Sequence, residues 1–492
     1  MTPYEKSSLE SRSVLADADG RATRNWTIGK RCAIIAILAL LSLTPMLQGQ
    51  TTDAIVLGTV TDSSHAVVRG ASVTATNLAT GISRVAQTDD FGNYQISALR
   101  PGPYSILIES KGFKSYLRPN LLLDARVIVR ADAELVVGQA QERVEVTAGA
   151  PTITTETGTI TEGMGTQLLD MPVNLRAGDT SPLMLVTTIP GVQIDLSNGI
   201  SVAGSHPAQD EISVDGFSAK NVSNTRSGAN TEMFPSTETI SEVRISELGI
   251  AEYAGVGDVS FVTHGGTNQY HGSLFEYFGN DDLNATPLFA SSKPRERAND
   301  FGGSIGGPVR FPFYNGKDKT FFYFTWERNH QQNSTPITQG VPTAAMRTGD
   351  FSSLCNSYDV NDICNSPTGL TLQNPFTGQP YPGNQLPSVN AVATNVLNAY
   401  YPQPNVNTSS LSANYVVVAP SPVTTNLVDV RIDQKLTEKQ MVWGRFSWKN
   451  ITSTSPLGLL QGDSDFTTHP RTLGLTYTYL IRPNLLNEFR FG

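Results

Sequence analysis

Apolar and polar side chains alternate with a period of two along much of the chain after about residue 269. Phe322, Phe324 and Trp326, for example, fall on one face of an extended run, and the residues between them fall on the other face. Seven such runs occur, of which Tyr270–Phe278 and Leu485–Phe491 alternate less cleanly. This period predicts antiparallel β-strands with one apolar face, either in a soluble sheet or in a membrane barrel.

The lengths of the links between these runs favour the barrel. They hold about 22, 10, 94, 5, 20 and 3 residues, so that long and short links alternate. Transmembrane barrels have long extracellular loops and short periplasmic turns. We therefore expect the links 310–319, 435–439 and 481–483 to face the periplasm, and the link 330–423 to form an extracellular loop. Charged residues such as Asp429 and Arg431 would line the lumen, where we expect mainly solvated walls.

Residues 52–142 contain short alternating runs that are separated by turns rich in Gly and Pro, such as Asp89–Asn93 and Arg100–Pro103. Turns at intervals of about 8–12 residues are typical of a small β-sandwich. Pro fixes one backbone angle of such a turn and Gly supplies the positive φ. The runs begin at Ile55, Ala71, Ile82, Tyr94, Tyr104 and Ala125.

The order of the motifs GTVTD, VVRGASV, TDDFGNY, LRPGPY and KGF in this segment resembles the carboxypeptidase regulatory-like domain. The resemblance implies a transthyretin-like β-sandwich that serves as a periplasmic spacer or interaction module, without peptidase activity. A zinc peptidase would need an H-x-x-E pair. None of the six His residues has a Glu three positions later.

Residues 143–268 mix weak helix and strand signals and predict a mixed α/β globule. We expect a helical turn at Met164–Leu169 and a helix at Ser181–Thr188, with Pro182 at its first position. The motifs IPGV, ISVDG, EYAGVG and VTHGGTNQYHGSLFEYF follow in this order. They resemble the plug domain of TonB-dependent outer-membrane receptors, although many such receptors have KSGTN where this chain has His264–Asn268. Lumen charges would then be able to contact the plug.

A short extended run links the two segments and is followed by Gly149-Ala150-Pro151, in which Gly and Pro interrupt regular structure. Two interpretations stay open for it. It is either the last strand of the sandwich or a strand that docks an energy-coupling partner by adding to the edge of that partner's sheet. The run consists of Arg143, Val144, Glu145, Val146, Thr147 and Ala148.

The apolar run Ala33–Leu43 follows Lys30 and Arg31 and is too short to cross a membrane as a helix. It predicts a signal peptide over residues 1–49. The segment before the apolar run is long for a signal peptide, so the true start of the chain is alternatively at a later residue. A buried core helix is the other interpretation of the apolar run. Export to an oxidising compartment makes a disulfide between Cys355 and Cys364 the expected state of these residues. A zinc pair is disfavoured because no His lies near them.

Composition and motifs exclude several other classes of protein. Only 16% of the residues are charged, the isoelectric point is about 5.3, and no long basic cluster occurs, which argues against a coiled coil and against nucleic acid as a partner. No phosphate-binding loop or nucleophile elbow is present. His264 and His271 are not expected to bind metal, and the acidic residues Asp210, Glu211 and Asp215 lack the spacing of a calcium loop. We expect no active site and no cofactor.

The fold class predicted for the chain is mainly β: a transthyretin-like sandwich (52–142), a mixed α/β plug (143–268) and the first third of an outer-membrane barrel (269–492). The resemblance implies a receptor in outer-membrane lipid that binds an extracellular glycan, peptide or metal chelate. Import through the plugged barrel would draw energy from an inner-membrane coupling protein of the TonB type. The alternative is a surface adhesin or binding module without transport, and a secreted peptidase is a third class.

Seven strands fall short of the barrel that a plug of this size needs, which is of the order of 22 strands. An open sheet would expose unpaired backbone groups to lipid. We therefore expect the chain to be a fragment that, by itself, neither closes a barrel nor transports.

Overall fold

The computed structural model describes residues 52–138, 143–145, 160–165, 182–195, 199–206, 209–219, 234–247, 257–286, 288, 293, 295–366, 368–408, 411–458, 462–482 and 485–492. The predicted signal peptide and residues Val146–Ala148 of the predicted docking strand lie outside this part of the chain. Among the described residues, no helix is both long and apolar enough to span a membrane.

The N-terminal part consists of two small β-sheets around one apolar core, in which Val56, Val73, Ile106 and Leu123 are fully buried. One sheet has the strand order β4-β1-β7, with β8 also on β1, and the other has the order β3-β2-β5-β6-β9. This is the sandwich that the sequence predicts. Its strands are β1 (Ala54–Asp62), β2 (Ser72–Asn77), β3 (Ser83–Gln87), β4 (Asn93–Leu99), β5 (Gly102–Glu109), β6 (Ser115–Leu123), β7 (Ile128–Arg130), β8 (Ala133–Leu135) and β9 (Arg143–Glu145).

Strand β6 is absent from the sequence-based prediction, and the run predicted from Ala125 is divided into β7 and β8. Strand β6 escapes the alternation pattern because Pro119 and Asn120 interrupt it. Asn120 has a positive φ of 54°, and the register with β5 shifts nearby. Strand β9, which contains the first three residues of the predicted docking run, pairs in parallel with Ser115–Leu117 of β6.

The middle region (residues 160–263) contains a five-stranded sheet of order β10-β15-β16-β13-β14 and the hairpin β11-β12. Its core includes Phe234 and Phe261, whose rings pack edge to face. Its elements are β10 (Ile160–Gly165), a 3₁₀ helix at Pro182–Thr188, β11 (Val192–Asp195), β12 (Gly199–Val202), β13 (Glu211–Val214), β14 (Phe217–Ser218), a 3₁₀ helix at Thr237–Thr239, β15 (Ile240–Glu247) and β16 (Gly257–Thr263).

The two helices predicted in this region have different outcomes. The prediction at Ser181–Thr188 is matched by a 3₁₀ helix at Pro182–Thr188. The helical turn predicted at Met164–Leu169 is wrong where the structure describes it, because Met164 lies in β10 and pairs with Val243 of β15. A strand partner distant in sequence outweighs a weak local helix signal.

The C-terminal region is one antiparallel sheet of order β17-β18-β21-β22-β23-β25-β26, in which β24 also pairs with β23. In the described part of the chain, the first strand β17 and the last strand β26 lie at opposite edges of the sheet and do not pair with each other. The sheet is therefore barrel-like but not closed. Its strands are β17 (His271–Asn280), β18 (Glu296–Pro308), β21 (Thr320–Gln339), β22 (Tyr415–Lys435), β23 (Gln440–Gly458), β24 (Gly462–Thr468), β25 (Arg471–Arg482) and β26 (Leu485–Phe491), and the two-residue strands β19 (Arg310–Phe311) and β20 (Tyr314–Asn315) form a separate small hairpin.

The extracellular loop predicted at 330–423 is shorter in the structure, where it spans residues 340–414. Strands β21 and β22 pair without interruption from Thr320 and Gln434 to Gln339 and Tyr415. The added part of β21, from His330 to Gln339, is mostly polar, and the added part of β22, from Tyr415 to Val423, is a mostly apolar run that contains Pro420 and Pro422. Neither part shows the alternation of apolar and polar residues on which the prediction relied. Backbone hydrogen bonds between strands do not require that alternation.

The two faces of this sheet differ as the alternation predicts. One face carries a row of apolar side chains that are exposed or half-buried and oppose one another on neighbouring strands: Ile305, Phe324, Val430, Phe446 and Leu473. The other face is polar and buried, and includes Thr325, Glu327, Asp429, Arg431 and Arg445. An apolar outer face and a polar inner face are the arrangement of a lipid-facing barrel wall.

The loop between β21 and β22 has an ordered structure of its own. It contains the helices α1 (Ala344–Arg347) and α2 (Ala391–Tyr400) and short 3₁₀ turns at Ser352–Leu354 and Pro382–Asn384. Cys355 and Cys364 form a disulfide, with their Cα atoms 5.8 Å apart. The buried guanidinium of Arg347 donates to the carbonyl oxygens of Leu397, Tyr401 and Pro402 and thereby ties α1 to the C-terminal end of α2.

Candidate functional site

The candidate site is the boundary between the middle region and the polar inner face of the C-terminal sheet. It begins at the hairpin turn between β13 and β14, where Asp215 and Gly216 have positive φ angles of 53° and 77°. An Asp-Gly pair with two positive φ angles is the preferred two-residue hairpin turn. The turn holds the Asp215 carboxylate, which is 1% exposed, toward the sheet.

Two arginines of the sheet converge on Asp215. Arg445 donates from Nε to Asp215 Oδ2 at 3.0 Å, and Arg431 approaches Oδ1 with Nη1 at 3.4 Å. Arg431 and Arg445 lie directly opposite each other on β22 and β23. Like charges in that position repel each other, and the carboxylate from the middle region, which contacts both guanidinium groups, lowers this repulsion.

Arg431 also contacts Asp433 on its own strand, with Nε 3.2 Å from Oδ1. Its guanidinium lies 4.4 Å from the centre of the Trp443 ring and donates to the carbonyl oxygen of Thr263 at 3.0 Å. Cation–π contacts of this kind are strongest where water is excluded. We refer to Asp215, Arg431, Asp433 and Arg445 together as the latch.

A second polar group continues along the inner face. Asp429 accepts hydrogen bonds from the Ser236 backbone N–H at 2.9 Å and from the Thr239 hydroxyl at 3.0 Å. The Ser236 hydroxyl donates to Glu327, and the Ser447 hydroxyl donates to Asp429. The prediction of mainly solvated lumen walls is therefore wrong here, because the middle region covers these groups and replaces water as their hydrogen-bond partner.

One aromatic contact accompanies the polar ones. Phe217 of β14 packs edge to face on Trp443, with ring centres 6.2 Å apart. Gly474 of β25 leaves room for the Phe217 ring, since a Cβ atom at that position would lie 2.7 Å from Phe217 Cε2. Glycine is the residue that permits this approach of ring to strand.

The sandwich also contacts this boundary. Arg100 donates to the latch carboxylate Asp433, and Arg84 donates to the carbonyl oxygen of Glu438 at 2.6 Å. Arg126 forms an ion pair with Asp258 of the middle region. A cavity of about 500 Å³ lies where the three regions meet. Residues that line it include Arg84, Tyr104, Thr263, His264, Phe321 and Trp443.

Burial changes the titration of two side chains that line this cavity. His264 stacks on Tyr323 with ring centres 5.2 Å apart. Burial, followed by the nearby His271 and Arg431, lowers the pKa of His264 to about 4, so its ring is neutral near pH 7. Burial raises the pKa of Tyr104 to about 12. Both shifts keep the cavity wall uncharged at these positions.

The residues that the sequence singles out do not form one site. Asp215 belongs to the latch, whereas Asp210 accepts a hydrogen bond from Ser205 inside the middle region. Cys355 and Cys364 lie in the loop 340–414, and Arg143–Glu145 lie on the edge of the sandwich. No group of three His, Cys, Asp or Glu residues suited to a metal ion occurs in the described part of the chain. The arrangement can hold one body against another, and we find no catalytic constellation in it.

The sequence does not predict the contacts among the members of the latch. The motif ISVDG contains Asp215, and the alternation of β22 places Asp429, Arg431 and Asp433 on the inner face. Nothing in the sequence indicates which acidic residue meets which arginine, because partners such as Asp215 and Arg445 are 230 positions apart.

Comparison with known proteins agrees with this architecture. Residues 262–492 match the family described as outer membrane beta barrel domain, and residues 55–136 match the carboxypeptidase regulatory-like domain. The TonB-dependent transporter Oar of Myxococcus xanthus is 28% identical over 285 residues, which are 54% of this chain and 26% of that protein. The chain therefore spans about a quarter of the length of this relative.

Two solved structures match the chain at low sequence identity and with low TM-scores. The outer membrane transporter YddB from Escherichia coli is 10% identical with a TM-score of 0.39, covering 65% of this chain and 36% of that one. The siderophore receptor PirA from Acinetobacter baumannii is 13% identical with a TM-score of 0.37, covering 65% of this chain and 37% of that one.

Proposed function

We propose that the chain serves in a receptor that imports an extracellular ligand. The chain combines a carboxypeptidase regulatory-like domain with an outer-membrane β-barrel domain and is homologous to a TonB-dependent transporter. It is therefore an outer-membrane protein. In this proposal, residues 52–142 form a periplasmic sandwich, the middle region is the plug, and residues 269–492 form part of the barrel wall. The chain acts by binding and passage, not by catalysis.

The proposal rests on one observation: the middle region contacts the inner face of the sheet mainly through polar groups. Asp215, Ser236 and Thr239 meet the inner face through ion pairs and hydrogen bonds, whereas each body has its own apolar core or apolar face. Buried ion pairs add little net stability compared with apolar packing of the same volume. When the middle region separates from the sheet, water can replace the lost hydrogen-bond partners of these groups. A polar contact surface therefore suits a plug that must leave the barrel wall and bind to it again.

The energy for release would come from an inner-membrane partner of the TonB type, and we propose Arg143–Ala148 as its docking strand. Support comes from the position of Arg143–Glu145 at the edge of a sandwich sheet, paired in parallel with β6. A strand held at an edge by three residues is able to exchange one sheet partner for another. The ligand would be a glycan, a peptide or a metal chelate, captured by the loop 340–414.

The test uses the purified soluble domain of a TonB-type coupling protein as the probe. Val144→Pro removes a backbone donor from the docking strand, while Val144→Thr keeps a strand-forming residue with its N–H group. We expect Val144→Pro to lower the affinity of the full chain for the probe at least about tenfold, since ladder hydrogen bonds supply the affinity in this mode of binding. We expect Val144→Thr to bind as the unaltered chain does. Equal binding by all three chains would contradict the docking assignment and would favour an adhesin that needs no energy coupling.

A further inference from the structure

The latch does not end at the sheet, because one of its carboxylates is shared with the sandwich. Asp433 is 1% exposed and lies between Arg100 of the sandwich and Arg431 of the sheet. Arg431 in turn reaches Asp215 of the middle region, and Asp215 reaches Arg445. A continuous row of alternating charges thus passes through all three regions.

The sandwich is held to both of the other regions, and not only to the latch. Arg84 reaches the Glu438 carbonyl in the turn between β22 and β23, and Arg126 reaches Asp258 at the start of β16. Asn268, which follows the middle region, donates to the Thr80 carbonyl of the sandwich at 2.7 Å. Of these residues, Thr80 and Arg84 also line the cavity, and Glu438 lies in one of the short turns of the sheet.

Arg431 contacts two carboxylates, and the charge of Arg100 affects how strongly each of them attracts Arg431. Its Nε is 3.2 Å from Asp433, and its Nη1 is 3.4 Å from Asp215. With Arg100 in place, Asp433 is already neutralised by a second guanidinium. Without Arg100, a buried Asp433 would face Arg431 alone and attract it more strongly, at the expense of Asp215, because attraction between charges is large where water is excluded.

We propose that Arg100 is a positioning residue of the latch and that the docked sandwich is an inner lid, which must leave before the middle region can be released. The role of Arg100 in holding the latch depends only on the contacts described here, and the need for the lid to leave rests on the proposed function. The regulatory-like domain would then control the plug and would be more than a spacer.

Hydrogen–deuterium exchange of the full chain in detergent tests this inference. In Arg100→Ala, we expect about tenfold faster exchange in β16 and in the turn at Asp215 and Gly216, because a charge-assisted contact of the latch is weakened. The described ion pair of Arg100 is with Asp433 and not with these segments. Arg100→Lys keeps the charge and should restore most of the protection. Arg69→Ala is the matched control, since Arg69 is 67% exposed and pairs only with Asp90 of the sandwich in the described contacts.

A second variant separates the lid from the latch. Arg84→Ala removes a contact with the Glu438 carbonyl and leaves Asp433 untouched, so it should speed exchange in the turn 435–440 more than at Asp215. Unchanged exchange at Asp215 and β16 in Arg100→Ala would overturn the inference, as would equal effects there of Arg100→Ala and Arg84→Ala. No transport is measured, so a failed uptake or coupling assay would leave this result intact.

Discussion

Arg445 of strand β23 donates its Nε hydrogen to the Asp215 carboxylate of the middle region at 3.0 Å, and both side chains are at least 95% buried. This bond joins the middle region, which has its own apolar core, to the inner face of the sheet. Removal of one partner from a buried ion pair is costly, because the other charge is left without compensation. The junction is therefore sensitive to single substitutions, and its individual contacts can be tested one at a time.

Asp215→Asn tests the latch directly. Asn tolerates the positive φ of this hairpin turn as Asp does, so the turn is kept while the charge is lost. We expect the free energy of unfolding of the middle region to fall by about 3–5 kcal/mol, because the buried Arg445 loses its ion pair with Asp215 and Arg431 keeps only its ion pair with Asp433. Denaturant unfolding followed by hydrogen exchange measures it. Asp90→Asn, at an exposed ion pair, should cost less than about 0.5 kcal/mol; equal effects of the two substitutions would contradict the account.

Gly474→Ala tests the contact between Phe217 and the sheet. The added Cβ would lie 2.7 Å from the Phe217 ring, so either the ring or the strand must move. We expect a loss of about 1–3 kcal/mol, as is usual for overpacking, together with a change in Trp443 fluorescence as the ring withdraws. Gly279→Ala, where the nearest atom is 3.5 Å away, is the control and should have little effect on either measurement.

His264 makes the stability of the boundary depend on pH. Its pKa is about 4 in the folded protein against 6.5 for an exposed His, so the unfolded chain takes up the proton first as the pH falls. Above pH 6.5 both states are neutral at this residue and it has no effect. Between pH 6.5 and 4 the free energy of unfolding should fall by up to about 1.4 kcal/mol per pH unit from this group.

The comparison that isolates this effect is between unaltered chain, His264→Gln and His469→Gln. Thermal unfolding in detergent from pH 7 to pH 4 should show a shallower decline in Tm for His264→Gln. The exposed His469 is the control, and its substitution should leave the decline as it is in the unaltered chain. Identical pH dependence in all three would mean that the buried His264 ring is not the titrating group.

Arg347 should keep the loop 340–414 in its ordered conformation. Arg347→Met leaves the carbonyl oxygens of Leu397, Tyr401 and Pro402 without the donor that joins them to α1. Since a hydrogen bond from a charged donor contributes about 1.5–3 kcal/mol, we expect chymotrypsin to cut near Tyr400 and Tyr401 at least about tenfold faster. Arg295→Met, at an exposed arginine of the same chain, should not change the rate; a similar acceleration there would indicate a general loss of folding.

The sequence predicts the sandwich and the two-faced sheet well because each depends on a local pattern. Alternation over a few residues is enough to assign Phe324 outward and Thr325 inward. It does not predict the outer ends of β21 and β22, where the backbone pairs although apolar and polar side chains do not alternate. It also misses β6, where Pro119 and Asn120 disturb the pattern. The latch is beyond such reasoning, because it is formed by side chains from three regions whose alignment only the folded chain determines.

Thiol labelling of intact cells tests most directly the proposal that the sheet lies in the outer membrane with the loop 340–414 outside the cell and the sandwich in the periplasm. After treatment with a reductant that cannot cross the membrane, a maleimide that cannot cross it should label Cys355 and Cys364. With the native cysteines replaced by Ser, Phe91→Cys on the exposed surface of the sandwich should be labelled only after the outer membrane is made permeable. Labelling of Phe91→Cys on intact cells, or protection of the loop cysteines after reduction, would contradict the account.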